Sequence, residues 1–307
     1  MTSFLARCVA FSAFVLWGAV SIVFLVLRLV PGDPASLILG PDATAAEVLA
    51  LQQQMGLDEP LAAQYLRYLG DVVHLDFGDS YRLGQDAMGL VLERLPATVE
   101  LATTAMVLSL VVGLPLGVLA ALKVNRPADR VVSVFSLLAQ STPSFWLGIV
   151  LILVFARGLN VLPSGGTGSP AHMVLPAVTL ALPFLAILVR MTRSGLLEVI
   201  HEGYVQTARS RGFTERVVVA RHAIRNALIP IVTIVGLQFG QLLGGTVIVE
   251  TVFAWPGVGR LLIDSISYRD YGVVQASILL IAAGFVLINL VVDVLYGVLD
   301  PRVRLAD

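Results

Sequence analysis

The sequence predicts an all-α, polytopic membrane protein with six transmembrane helices and both termini in the cytoplasm. Three observations predict it. Of 307 residues, 57% are hydrophobic and 13% charged, with mean hydropathy +0.88, more apolar surface than one soluble core of this length could hide. Six windows free of charge are each long enough to cross a hydrocarbon layer of ~30 Å, which takes about 20 helical residues. Basic residues are segregated: an N-terminus inside puts Arg7, the Lys123/Arg126/Arg130 turn, the run from Arg190 to Arg225, and Arg302 and Arg304 in the cytoplasm, thirteen of the twenty.

The first span occupies residues 1–30, its charge-free window lying between Arg7 and Arg28, both placed to snorkel. More mature sequence follows and no small-residue cleavage site is present, so it reads as an uncleaved span rather than a removed signal peptide. Segment 31–97 carries ten acids and three arginines and falls on the opposite, extracytoplasmic face. It is too polar to span and too patterned to be disordered. Thr44-Ala45-Ala46-Glu47 is a capping box opening one helix. Pro60 is placed to begin a second at its first position, with Leu61, Tyr65, Leu66 and Leu69 as an apolar face that Gly70 interrupts. Gly78, Gly84 and Pro96 break the remainder of the segment, so a small helical segment is expected outside the membrane.

Residues 98–299 hold the other five spans, and 300–307 a cytoplasmic tail. The second lies between Glu100 and Lys123 and the third between Arg130 and Arg157. The fourth sits close to Arg190, because Pro163, Gly165, Gly166, Gly168 and Pro170 mark a loop before it. The fifth runs from Ala227 to Val249 and the sixth from Val273 to Val292. Gly113, Pro115, Gly117, Pro143, Pro176, Pro183 and Pro230 lie at membrane depth, where freed backbone groups persist only if neighbouring helices, hydroxyls or cavity water take them up. They suit a packed bundle around a polar path, and they equally suit ordinary helix packing.

Between the fourth and fifth spans lies a basic island, residues 195–227, whose most patterned part begins at Gly203 and ends at Pro230. Ile200, Tyr204 and Ala208 recur at helical spacing, Gly212 suits the left-handed end of a helix, and Thr214 suits the N-cap of a second. The expected object is helix, glycine hinge, helix. Seven arginines (190, 193, 209, 211, 216, 221 and 225) face three acids, Glu198, Glu202 and Glu215. On charge alone, a topology-setting loop against anionic lipid would serve as well.

Order and spacing add a resemblance. Gln206-Thr207-Ala208, three residues, Gly212, then His222 through Pro230 resembles the EAA loop of ATP-binding cassette (ABC) importer permeases, in the form found in dipeptide and oligopeptide permeases. Gln206 and Thr207 stand where the general motif has Glu and Ala, and the longer interval from glycine to proline is usual in the peptide branch. Pro31-Gly32-Asp33-Pro34, Gly56 through Pro60 with Gln64-Tyr65, Asp76 through Ser80, and Leu95 through Leu101 are similar, in order, to the N-terminal half of the first permease subunit of those importers. Glu250 through Arg260, leading to Asp264 and Arg269-Asp270-Tyr271, resembles the family's outer gate, with Gly272 where a proline is frequent.

The resemblance implies a type I ABC importer permease fold in the bacterial plasma membrane, pairing with a second permease subunit. It further implies two cytoplasmic ATPase subunits, which hold ATP and magnesium, and an extracytoplasmic substrate-binding protein; no cofactor is expected in this chain. By the same resemblance Tyr204, Gln206, Thr207, Ala208, Arg209, Gly212 and Phe213 couple to the ATPase, with Ala208 and Gly212 small so that the helix sits close in a groove. Phe253, Trp255, Pro256, Gly257, Gly259 and Arg260 meet the binding protein, although Phe253 and Trp255 also suit interfacial aromatic anchors. Peptide, nickel-complex and haem importers share this permease type, so the solute stays open.

Other chemistries find little. The lone lysine, Lys123, is followed by Val124 and lacks the glycine frame of a phosphate-binding loop. His74, His172, His201 and His222 are scattered, with no His-Glu-x-x-His, and Gly-x-Ser-x-Gly does not occur. One cysteine, Cys8, excludes an intrachain disulfide and a cysteine-rich metal site. Nothing suggests nucleic acid. Glu100, Glu250 and Asp293 sit at span ends, where facing water or a helix terminus costs little. With no carboxylate at mid-span, a gradient-driven transporter, the competing class, has no relay.

Overall fold

A computed structural model describes residues 2–29, 34–40, 43–54 and 56–299. The Pro31-Gly32-Asp33 stretch and the 300–307 tail with Arg302 and Arg304 lie outside them. Within the described residues the regular elements are helices, and the one β-pairing is an isolated bridge between Asp79 and Asp86.

Helix α1 (Thr2–Leu29) is followed by two short helices, α2 (Pro34–Leu39) and α3 (Ala45–Gln54), and by α4 (Leu61–His74). The capping box is made: the backbone N–H and hydroxyl of Thr44 both donate to the Glu47 carboxylate at 2.8 Å, and the Glu47 N–H donates back to Thr44 Oγ1 at 3.3 Å. Helix α4 starts at Leu61, one residue later than expected, with Pro60 at the N-cap, and Gly70 leaves the helix unbroken. The buried face of α4 meets the end of α1, where Phe24 packs against Tyr65 and Tyr68, the Ser21 and Tyr65 hydroxyls pair at 2.6 Å, and Arg28 donates to Gln64 at 2.9 Å. Arg28 is therefore held by a protein partner at the membrane edge.

Helix α5 runs unbroken from Ala87 to Leu122. Pro96 and Pro115 are inside it, so Pro96 does not end the preceding segment as expected. The start is fixed by Asp86, which accepts from the Gly89 N–H at 2.5 Å. A turn leads to α6 (Pro127–Ser141) and α7 (Ser144–Leu151), the latter extended by a wider turn over Ile152–Gly158. The expected third span is thus broken, with a bend of 107° between the two arms. The cause is local: Thr142, preceding a proline, is extended (φ −85°, ψ 124°), and so is Pro143 (φ −60°, ψ 134°). Then come α8 (Pro170–Val199, continuous through Pro176 and Pro183), α9 (Gly203–Ser210), α10 (Glu215–Val217), a wide turn over Val218–Ala223, α11 (Ile224–Val252), α12 (Val258–Ser267) and α13 (Tyr271–Leu299). Among the described residues five helices are long and apolar enough to cross a membrane, and the bent pair makes a sixth if it counts as one span.

The core lies between α5, α8 and α11, closed at one end by Phe253 and Trp255. A second apolar cluster joins α1, α4, the start of α5, α12 and α13. Close helix contact explains two of the membrane-depth glycines: a Cβ on Gly113 would lie 3.2 Å from Leu188 Cβ, and one on Gly117 2.5 Å from Thr192 Cβ. At the start of α13, Gly272 serves the same end, since a Cβ there would lie 2.6 Å from the Phe77 carbonyl oxygen.

Arg193 of α8 holds Asp129 of α6 with two bonds, 2.6 and 2.9 Å, and the Asn125 N–H adds a third at 2.9 Å. Asp129 is 4% exposed, so removing its partner strands a charge. Arg193→Met is expected to destabilise the subunit by about 1.5–3 kcal/mol. Adding Asp129→Asn should recover part of that loss, as read from thermal melts of the detergent-solubilised complex. Equal melting points for Arg193→Met and the native chain would show that the pair contributes nothing.

Candidate functional site

The island forms the expected helix, glycine and helix. Helix α8 ends at Val199, and α9 starts one turn later, its N-terminal neighbour Glu202 extended. At the far end Arg211 closes the helix, Gly212 takes φ +80°, and Thr214 occupies the N-cap of α10 without a side-chain bond. A Cβ on Gly212 would meet nothing within 4 Å. Within this chain the glycine is needed for its backbone conformation, and nothing of its own fold crowds the position, which leaves room for the close approach of a docked partner.

One face of α9 is used up internally. Val205 and Ala208 pack with Val218 and Val199, leaving Ala208 5% exposed. Ala208 is small because its own chain covers it, so the expected direct docking role is corrected for this residue. Arg209 clamps the joint with bonds of 3.1 and 2.6 Å to Glu215, and a third, 3.2 Å, to the Ile200 carbonyl. That guanidinium holds the Glu215 carboxyl below the usual carboxylate range, so the clamp is intact above that range and weakens as pH falls. The opposite face is open. Gln206 and Thr207 are exposed, Tyr204 is 42% and Phe213 49% exposed. The Tyr204 hydroxyl accepts from Asn226 at 2.8 Å, and the Phe213 ring tilts against His222. Two aromatic rings are thus left open on a basic surface.

The 253–260 loop is built differently from expectation. Phe253 is 1% and Trp255 5% exposed, both buried in the α5–α8–α11 core, which corrects their reading as interfacial anchors. Trp255 Nε1 donates to the Ala97 carbonyl at 2.9 Å, and the Phe253 carbonyl accepts from the Gly166 N–H at 2.8 Å. Gly257 and Gly259 are buried, while Pro256 and Arg260 are half-buried. Arg260 reaches back to the Ala254 carbonyl at 2.7 Å. Sequence reasoning missed the two residues that organise this loop. Glu250 is fully buried rather than facing water, and Thr98 donates to it at 2.7 Å across 152 residues. The available signal was an acid seven and nine places before two glycines. Glu100 is exposed as expected, and the side chain of Asp293 lies outside the described residues.

Between α7, α8 and α11 is a cavity of about 210 Å³ lined by Ser144, Thr179, Pro183, Gln238, Gln241 and Gly245, among others. Gln238 is half-buried and Gln241 exposed, within the span Ile234–Val252. An amide facing hydrocarbon has no partner, so this face is set against protein or water.

Comparison with known proteins gives two matches along the chain. The model for "Binding-prot-dependent transport system membrane comp, N-term" covers residues 1–102, and that for "Binding-protein-dependent transport system inner membrane component" covers residues 113–305. The glutathione transport system permease protein GsiC is 45% identical in Escherichia coli (strain K12) and 44% in Salmonella paratyphi A, over 92% of this chain and 92% of each relative. A chain of the inward-facing MetNI methionine ABC transporter shares the fold, with TM-score 0.59 and 24% identity over 69% of this chain and 97% of that one. These relatives are transport subunits, not enzymes. On the family match and the identity of its relatives, this chain belongs to the binding-protein-dependent transport system inner membrane components: it is a multi-pass permease subunit of a bacterial ABC importer, in a system whose ATP is hydrolysed by separate ATPase subunits.

Proposed function

We propose that this chain is the first permease subunit of a peptide importer and forms half of a translocation pathway with a second permease subunit. The observation that carries this reading is the open face of α9 and its joint, where Tyr204, Gln206, Thr207 and Phe213 stand uncovered while the inner face is packed. The island, both termini and Lys123 lie in the cytoplasm, where two ATPase subunits bearing ATP and magnesium dock on the α9 face. The 56–97 segment and the 253–270 region lie outside, beneath a substrate-binding protein. Gln238 and Gln241 belong to the wall of the pathway. Short peptides of the glutathione class are the solute, a choice supported by the 44–45% identical relatives, which are glutathione transport system permeases.

The geometry supports a mechanism for this reading. Closure of the ATPases would move α9 and the joint as one body, because Arg209–Glu215 and the Val205–Ala208–Val218 packing hold them together. The solute shifts the balance only by its differing affinity for the two states. Reconstitution in liposomes tests the reading. Uptake of radiolabelled glutathione should need this chain, a second permease, both ATPases, the binding protein and ATP. Uptake by this chain alone, or without the ATPases, would overturn it.

A further inference from the structure

We infer that Glu250 is the positioning residue that seats the 253–260 loop on the end of the bundle and so closes the pathway there. The inference rests on the transport reading above, and its first observation is a convergence of donors. Glu250, in the last turn of α11, is 0% exposed. Its carboxylate accepts from Thr98 Oγ1 at 2.7 Å, from the Arg260 N–H at 3.0 Å, and from the Gly259 N–H. Thr98 in turn accepts from the Val258 N–H at 2.8 Å. These three N–H groups open α12 and have no acceptor within their own helix. Two side chains from α5 and α11 satisfy all of them, and the buried carboxyl group sits at the positive end of α12.

The loop is shaped around that carboxylate. A Cβ on Gly257 would collide with it, and one on Gly259 would lie 2.9 Å from its Oε2 and 2.5 Å from Val247 Cα. The Trp255 N–H donates to the Glu250 carbonyl at 2.8 Å, so backbone and side chain of one residue hold both arms of the loop. A buried acid is costly unless it is fully bonded, and an apolar residue would fill the same space more simply. What the acid adds is orientation: its donors come from α5 and from the first turn of α12, so the carboxylate ties the two helices together at one place. The clamp also closes the far end of α11, whose near end continues through residues 215–223 to the island. Movement of the island therefore reaches the loop through a single rod.

The test uses the complete complex in liposomes loaded with radiolabelled glutathione as probe. Glu250→Gln sets an amide N–H against the α12 donors, and Gly257→Ala pushes the carboxylate off them. Both variants are expected to assemble, and Glu250→Gln, changed at a fully buried side chain, is expected to keep unstimulated ATP hydrolysis. Efflux of glutathione without ATP should rise about tenfold or more in both, and stimulation by the binding protein should fall by a similar factor. Thr98→Ser, which keeps the hydroxyl, should stay tight, and Thr98→Val should leak. Tight and fully stimulated Glu250→Gln and Gly257→Ala complexes would overturn the proposal. So would failure of both to assemble, because the carboxylate would then serve folding alone. The Gly212→Asp variant separates the two readings. If it stays fully stimulated while Glu250→Gln leaks, the docking assignment falls and the clamp stands; if it loses stimulation while Glu250→Gln is normal, the reverse holds.

Discussion

Gly212→Asn is expected to keep binding-protein-stimulated ATP hydrolysis within about threefold of the native complex. Gly212→Asp should retain about a tenth or less, a difference of about 1.4 kcal/mol in coupling. Both complexes should be present in the membrane in native amounts. The two side chains are nearly identical in shape and share a tolerance for positive φ that most residues lack. At φ +80° an ordinary side chain costs about 1–2 kcal/mol, whereas space costs nothing here because no atom lies within 4 Å of the added Cβ. The pair therefore isolates charge. An acid at an exposed position beside Arg209 and Arg211 draws those guanidiniums inward and repels the acids of a partner that matches the basic island. Gly212→Val adds the strain of a β-branched residue at positive φ and should also lose coupling, by opening the joint rather than by charge. If the Asp and Asn variants hydrolyse ATP equally, no charged partner sits against this face. If Val also matches the native complex, the joint transmits nothing.

What the sequence made legible was local. The Thr44–Glu47 box and the Gly212–Thr214 joint are specified by residues a few places apart, and both formed as read. Helical periodicity identified the two faces of α9 but not which one turns inward, so Ala208 was placed on the docking side although it packs against Val218. A charge-free window measures length and hydropathy, not backbone angles, and Thr142–Pro143 breaks the third window without adding a charge. Aromatic residues near a span end are enriched at interfaces and in cores alike, and only the Ala97 carbonyl and the α8 surface decide that Trp255 and Phe253 are buried. Thr98 and Glu250 meet across 152 residues. No short-range pattern encodes that contact.

Gly117→Leu is expected to reduce the yield of assembled complex about tenfold or more, while Gly18→Leu in α1 leaves it unchanged. The contrast is between a helix face pressed on a neighbour and one that is open. A Cβ on Gly117 would lie 2.5 Å from Thr192 Cβ and 2.9 Å from the Val189 carbonyl oxygen, whereas one on Gly18 would meet nothing within 4 Å. Helix propensity alone favours Ala over Gly by about 1 kcal/mol, so at Gly18 even a small side chain should be neutral or stabilising. At Gly117 that gain competes with overpacking of about 1–3 kcal/mol, and part of the obstruction is α8 backbone, which no rotamer change can move aside. Overpacking wins even for Gly117→Ala, which should lower the melting point of the solubilised complex where Gly18→Ala does not. Thr192→Ala, which keeps the Cβ, should relieve Gly117→Ala only in part, because the Val189 carbonyl remains. Full relief in that double variant would mean that side-chain crowding sets the α5–α8 distance; native stability of Gly117→Leu would mean that the two helices do not meet there in the membrane.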